Sequence, residues 1–327
     1  MRRMTLMPLL VFCLFSFNLV HAEDIQMTVI GWNLESGDSD AATLAAQAAD
    51  KGPVDIWGFS ELEDQDFLDT ILEKLEAEHG IDYEDVISTN AGKDKLGIVY
   101  NAQRLELVSS HQENSLQLGN PGLRPVLVAK FKGKATGTEF LVMVNHLKAQ
   151  RDPNSTSKRT RQSEMLNDLA EAETLPVICL GDFNHFYEIG SADGNSPSFD
   201  ATIEDGVFQW LEPSNPVPTH NFPGSTVMLD FIYVANPLAG WDGDCVILER
   251  EGNVAVTSPT FPNVPGSSFT DDGKSTDHRP IKATFVFNEA TMRDSAEQLR
   301  DRISILRSLL EDMEAQLKAI EENLEEE

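Results

Sequence analysis

Residues 177–186 run Val-Ile-Cys-Leu-Gly-Asp-Phe-Asn-His-Phe. The first four are apolar, mostly branched and bounded by a turn residue, the pattern of a short buried strand. Gly181 ends the run, and Asp182 and Asn184 follow two residues apart. Extended backbone points alternate side chains the same way, so the carboxylate and the amide are expected on one side. A carboxylate at the mouth of an apolar strand loses hydration unless a partner replaces it.

The same arrangement recurs along the chain. A strand-like run at 27–33 ends in Trp32-Asn33, and one at 55–60 runs straight into Glu61. Residues 140–146 deliver Asn145-His146, 230–234 open with Asp230, and Thr276-Asp277-His278-Arg279-Pro280 precedes the run 281–286. Further strands are expected at 96–100, 126–131 and 245–248. Residues 41–51, 65–79 and 158–173 carry helical periodicity with charged outer faces. Residues 150–157 and 187–198 read as loops. These elements predict a single α+β domain with many strands.

Several carboxylates brought to one place raise each other's pKa unless a cation joins them. Glu61 is a hard oxygen donor that suits Mg²⁺, Mn²⁺ or Ca²⁺ rather than a soft metal. His146 and His278 suit a general acid and an electrostatic clamp near neutral pH. Asp230 is placed to fix the tautomer of His278. Each residue also has a plain reading. Asn33 or Asp230 alone is ordinarily a strand-end hydrogen bonder, and a single His146 ordinarily a structural histidine. Their joint occurrence in order favours an assembled site.

Taken together, VIGWNLES (29–36), DIWGFSELED (55–64), LGIVYN (96–101), LVMVNHLKAQ (141–150), VICLGDFNHF (177–186), LDFIYVAN (229–236) and STDHRPIKATF (275–285) resemble the endonuclease/exonuclease/phosphatase superfamily, the deoxyribonuclease I-like fold. The resemblance covers residues 27–287 and implies a four-layer α/β/β/α sandwich of two mixed sheets. It implies metal-side roles for Asn33, Glu61 and Asp277. Asp182 and Asn184 resemble the pair that activates water and steadies phosphate. His146 and His278 resemble the pair that binds the scissile phosphate and protonates the leaving oxygen, with Asp230 partnering His278. Three positions depart from the family pattern. Ser60 stands where relatives often have Gln, Thr276 where they often have Ser, and Met228 where they often have a basic residue. Lys148, Arg161 and Arg124 read either as phosphate contacts or as ordinary charges, with structural pairing favoured for Arg124.

Outside that domain the chain changes character twice. Residues 1–22 have a basic start at Arg2 and Arg3, an apolar run and a small residue at Ala22, the form of an export signal. The apolar run falls short of the ~20 residues a membrane span needs, and no later stretch reaches that length. The mature protein is therefore expected in a secreted or periplasmic setting. Two cysteines would then remain, Cys179 and Cys245, as buried thiols or as one disulfide. No C-x-x-C or H-x-x-x-H spacing suggests a zinc site. Asn154-Ser155-Thr156 is a glycosylation sequon, meaningful in a eukaryotic source.

The second change comes at 289–327. Met292, Ala296, Leu299, Ile303, Leu306, Leu310, Met313, Leu317, Ile320 and Leu324 alternate spacings of four and three. That repeat predicts a coiled-coil helix and a homo-oligomer, most simply an antiparallel dimer, since Arg300 and Arg307 lie early and Glu314 and Glu321 late. A long helix lying back on the domain is the alternative, and Ile305 and Leu309 widen the apolar stripe accordingly.

The formal net charge of −29 argues against nucleic-acid capture by a basic groove. It leaves a polyanionic substrate open, because a bound divalent cation inverts the local field. His146 separates the chain from the abasic-site repair branch, and Met228-Leu229-Asp230-Phe231 from the inositol-polyphosphate phosphatases. The run Val144-Asn145-His146-Leu147-Lys148 resembles secreted bacterial nucleases. The expectation is an extracellular Mg²⁺- or Mn²⁺-dependent endonuclease acting on DNA, with RNA as a further substrate. A secreted sphingomyelinase or phospholipase-like phosphodiesterase would need an apolar membrane-contacting loop, for which only 261–265 with Phe269 is available. A catalytically inactive binding module would need a lost ligand, and all eight positions are intact.

Overall fold

The computed structural model describes residues 25–89, 94–191, 194–220, 226–238, 241, 243–248 and 274–287. It also describes the backbone of 253–257 and 265–269, and isolated positions from 300 to 318. In chain order the elements are β1 (Ile25–Asn33), α1 (Ala41–Ala49), β2 (Ile56–Leu62), α2 (Gln65–His79), β3 (Tyr83–Ile87), β4 (Lys95–Asn101), β5 (Leu105–Glu113), β6 (Val126–Gly133), β7 (Glu139–His146), α3 (Pro153–Glu171), β8 (Val177–Glu188), α4 (Pro197–Thr202), β9 (Gln209–Trp210), β10 (Val227–Ala235), β11 (Asp244–Ile247), β12 (Asn253–Thr257), β13 (Pro265–Phe269) and β14 (Ile281–Phe287).

Among the described residues these strands form two six-stranded sheets, ordered β11-β14-β1-β2-β4-β3 and β5-β6-β7-β8-β10-β9, with β12-β13 as a separate ribbon. Each large sheet holds one parallel pair, β1 with β2 and β7 with β8, and its other pairings are antiparallel. A parallel pair needs a crossover, and helices α1 and α3 supply the two. The two parallel pairs therefore occupy matching places in the two sheets.

Alternation along β1 explains the layering. Met27 and Val29 face the second sheet and join the larger apolar core, while Ile30 and Trp32 face the other way. There they meet Leu44, Ala45 and Ala48 of α1 and Leu68, Ile71 and Leu75 of α2. Leu166 and Ala170 of α3 pack on the second sheet's side. Close approach of the sheets needs a missing side chain at Gly58 of β2. A Cβ there would stand 2.8 Å from a Leu180 methyl and 2.9 Å from one of Val144.

Residues 150–157 are not all loop, because α3 begins at Pro153. Asp152 caps it, its Oδ1 accepting from the Asn154 and Ser155 N–H groups at 3.1 Å each, and Pro153 stands where no N–H is needed. The sequon thus lies in the first turn of that helix. The stretch 187–198 likewise includes the end of β8 and the start of α4. Cys179 lies on β8 and Cys245 on β11, in different sheets, and both are buried free thiols.

Residues 1–22 and the segment 261–264 lie outside the described residues, as does most of 289–327. The described tail positions are helical, with Leu310 and Met313 55% and 66% exposed. No helix among the described residues is long and apolar enough to cross a membrane.

Candidate active site

The carboxyl ends of the two parallel pairs meet at one place. In the first sheet Asn33 is in register with Ser60, one residue before Glu61; in the second, His146 is in register with Asp182. Local backbone aims these side chains. Glu61 adopts a left-handed φ of 52° where the β2–β4 register slips between Phe59 and Leu62, a bulge that turns its carboxylate toward the second sheet. Gly181 has φ 139°, and a Cβ would stand 2.1 Å from the Asn145 carbonyl oxygen, so only glycine fits before Asp182. Asn184 follows with φ 50°, and its N–H donates to Asp182 Oδ1 at 2.8 Å. The pair faces one cavity as expected, although the strand is not regular there.

The eight residues converge. Asn33 Nδ2 donates to Glu61 Oε1 at 3.0 Å and to Asp182 Oδ2 at 2.9 Å. Asn33 Oδ1 accepts the Glu35 N–H at 2.9 Å. Asn33 thus presents donors to the acidic residues rather than an oxygen to a cation. His146 Nε2 lies 3.5 Å from Glu61 Oε1 and 3.7 Å from Asp182 Oδ2. His278 Nδ1 is 2.8 Å from Asp230 Oδ2, and its Nε2 is 3.9 Å from Asp182 Oδ2 and 3.7 Å from Asp277 Oδ1. Asn184 Nδ2 donates to the Leu147 carbonyl at 3.2 Å.

Electrostatics separate the two histidines that the sequence treats as a pair. Burial pushes His146 well below its usual pKa, and the Arg124 charge adds to this. Burial also lowers His278, but Asp230, Asp277 and Asp182 together hold it well above its usual value. At neutral pH His278 is an imidazolium and His146 a neutral imidazole. Burial first, then the Asp230 charge, raise Asp182 to about 7, against the opposing pull of His278. Asp277 behaves in the opposite way. Its burial would raise it, yet the His220 hydrogen bond and the His278 and His220 charges bring it down to about 2.

Among the described residues three groups of donors have the spacing to hold a metal ion: Glu61, His146 and Asp182; His220, Asp277 and His278; and Asp182, Asp230 and His278, with ligand atoms within 4.8 Å of one another. Only the first leaves the proton of His278 in place. Two carboxylates beside an imidazole are hard donors that fit a divalent cation such as Mg²⁺ or Mn²⁺. His146 Nδ1 and Asp230 Oδ1 are buried with no hydrogen-bond partner among the described residues, so the cluster is polar beyond its own internal bonding. Of the sequence-based set, Glu61 belongs to the first group and Asp277 to the second, while Asn33 belongs to none and bonds Glu61 and Asp182 instead.

Sequence reasoning missed two residues. His220 Nε2 bonds Asp277 Oδ2 at 2.9 Å, and Glu35 Oε2 accepts the Asp277 N–H at 2.7 Å from a left-handed backbone. The clue lay in Pro218-Thr219-His220, because Thr219 Oγ1 accepts from the N–H groups of Leu229 and Asp230 and ties that turn to the site. The three departures also resolve. Ser60 Oγ is buried without a partner, so the hydrogen bond a longer amide would make is missing. Thr276 Oγ1 donates to the Asn33 carbonyl at 2.7 Å and accepts from the His278 N–H at 3.1 Å, as a serine would. Met228 is buried in the apolar core. Arg124 pairs with Asp94, and exposed Arg161 pairs with Glu164 at 2.8 Å. Lys148 does not line the cavity.

Strand order, register and these convergent side chains agree with the match of residues 30–278 to the Endonuclease/Exonuclease/phosphatase family. The chain belongs to that family. Members of the family are phosphoric ester hydrolases, often metal-dependent. Solved structures of similar fold include a family protein from Bacteroides thetaiotaomicron, with TM-score 0.55 and 20% identity, covering 82% of this chain and 97% of that one. The mannosyl-6-phosphatase Bt3783 of the same organism has TM-score 0.52 and 19% identity, over 80% and 99%. D. rerio TDP2 complexed with single-strand DNA product has TM-score 0.55 and 17% identity, over 80% and 98%. At such identity these likenesses show the family's fold alone. No curated protein sequence matches the chain.

Proposed function

We propose that the protein is a secreted, Mg²⁺-dependent phosphodiesterase that cleaves DNA internally, with RNA as a further substrate. The observation that carries this reading is the convergence of Glu61, His146, Asp182 and His278, the last held by Asp230, at the carboxyl ends of the two parallel strand pairs. A carboxylate beside the attacking water is placed to act as its base. Asp182 takes the proton of the attacking water as its oxygen bonds to phosphorus, and the P–O bond to the leaving oxygen breaks as that oxygen takes a proton from the His278 imidazolium. His278 places positive charge against the oxygens on which negative charge develops. His146 donates a neutral hydrogen bond to the phosphate from Nε2, and Asn184 orients a phosphate oxygen. Glu61 would hold the divalent cation, with Asp277 contacting it or its water from across His278; the bound cation would neutralise charge on phosphate and leaving oxygen.

The intact ligand set supports an enzyme over a binding module. The Asn145-His146-Leu147-Lys148 run supports nucleic acid over lipid. Export through residues 1–22 and assembly through a coiled coil at 289–327 complete the proposal. The test incubates the mature protein and Mg²⁺ with supercoiled plasmid, RNA, sphingomyelin and bis(p-nitrophenyl) phosphate. Nicked plasmid should accumulate before linear DNA. Hydrolysis of sphingomyelin with both nucleic acids intact would replace nuclease by lipid phosphodiesterase.

A further inference from the structure

The cavity at the site has a volume of about 730 Å³, the size of a pocket for a drug-sized ligand rather than for one phosphate. It continues past the catalytic cluster. Beyond Asn184 its wall is built from Phe186 and Glu188 of β8, Thr226, Val227 and Leu229 at and along β10, and Ala149, Gln150 and Arg151 of the loop after β7. Glu35, Glu61, Asp182, Glu188 and Asp277 make this lining acidic, and among the described residues Arg151 is its only lysine or arginine.

Arg151 is exposed, and its side chain is laid on a ring. Its guanidinium carbon lies 4.6 Å from the Phe186 ring centroid, a cation–π contact. Phe186 itself adopts a left-handed φ of 54°, a strained backbone that persists only where the surroundings enforce it. The guanidinium of Arg159, 3% exposed, lies 4.9 Å from the same centroid. Arg159 Nη1 donates to the Lys148 and Gln150 carbonyls at 2.8 Å each, and Gln162 Oε1 accepts the Lys148 N–H at 2.9 Å. The loop carrying Arg151 is therefore fixed on both sides of Ala149 by α3.

Two guanidinium groups thus share one ring, and neither has a carboxylate at ion-pair distance among the described residues. Burial, the larger cause, and the Arg151 charge push Arg159 down to about 10, against the pull of Asp182 and Asp152. Away from His278, Arg151, with Arg159 against the same ring, is thus a cationic spot without a carboxylate partner among the described residues, beside a lining that is otherwise acidic. An anion placed there would pair with it, and arginine is well suited to phosphate.

We infer that Arg151, laid on Phe186, is the binding site for a second phosphate of the substrate, next along the chain from the one that is cleaved. The inference rests on the phosphodiesterase reading and narrows it to substrates carrying at least two phosphates, as a polynucleotide does. A lipid with one phosphate and a quaternary ammonium head would set a cation against Arg151 instead.

The test compares wild type, Arg151→Gln and Phe186→Leu on bis(p-nitrophenyl) phosphate and on a thymidine pentanucleotide, with Mg²⁺. Arg151→Gln should lose about tenfold more kcat/KM on the pentanucleotide than on the one-phosphate substrate, chiefly through KM, the scale of one charge-assisted contact. Phe186→Leu should show the same bias more weakly. The slope of log kcat/KM against log salt should flatten by about 0.7, the contribution of one single-strand phosphate contact. Equal losses on both substrates with an unchanged slope would overturn the assignment, as would no loss on either. Should wild type hydrolyse only the chromogenic ester, the nuclease reading falls and inhibition decides on Arg151. Tripolyphosphate inhibiting wild type about tenfold better than Arg151→Gln, with orthophosphate equal on both, would uphold the site. Equal tripolyphosphate inhibition of the two would overturn it.

Discussion

Asp182 sits where burial and Asp230 hold its carboxyl near neutrality, so its charge is costly to the folded chain. Between the ordinary carboxyl pKa of 3.8 and about 7 the folded protein keeps a proton that the unfolded chain has released. Stability from this group therefore falls as pH rises across that window, by about 1.4 kcal/mol per unit at most. Asp182→Asn removes the effect. Without metal, the variant should melt above wild type at pH 8, the gap closing toward pH 5; a gap that does not change with pH would contradict the assignment. Asp230→Asn should let His278 lose its proton between pH 6 and 8, so that kcat/KM falls by about 10² toward pH 8, the scale of a lost charge stabiliser. An unchanged pH profile would show that another group holds the imidazolium. At this scale the sequence was informative wherever a polar residue followed an apolar strand, as at Asn33, Glu61, His146 and Asp182. His220 and Glu35 were hard to read in the sequence because their contacts with Asp277, more than fifty residues away, form only in the fold.

Elements show the same division between what pattern carries and what tertiary contact decides. Helix α2 matches its periodicity from Gln65 to His79, because Asp64 caps it by accepting the Phe67 N–H at 2.9 Å and Gly80 ends it at φ 64°. Strands β3 and β9 are short, and β5 exposes most of its length at a sheet edge, so neither alternation nor composition marks them. The opening turn of α3 was legible in Asp152-Pro153, yet polar Asn154, Ser155 and Thr156 hid it among loop residues. Gly181 lies at the opposite extreme, with both its dihedral and its contact with Asn145 forbidding a side chain. Gly181→Ala should cost about 3 kcal/mol or more in urea unfolding. A loss under about 1 kcal/mol would mean that the strand end can relax without the carbonyl contact.

At the scale of the whole molecule the described residues form a two-sheet domain, and the sequence adds a heptad repeat at 289–327 that lies mostly outside them. Two six-stranded sheets meeting at the ends of their parallel pairs account for a site drawn from residues 33 to 278, and the seven quoted motifs carried most of that topology. We propose that the heptad repeat at 289–327 pairs with a second copy; Leu310 and Met313, described there, are exposed. Light scattering at micromolar concentration should find a dimer that becomes a monomer when 289–327 are removed, with catalysis retained. A monomeric full-length mature protein would contradict the pairing. The central claim, a cation-dependent phosphodiester hydrolase with Asp182 as base, is tested most directly by plasmid nicking. Wild type should nick with Mg²⁺, stop in EDTA and recover when Mg²⁺ is restored, while folded Asp182→Asn should be slower by at least about 10². Undiminished nicking in EDTA, or by Asp182→Asn, would contradict the account.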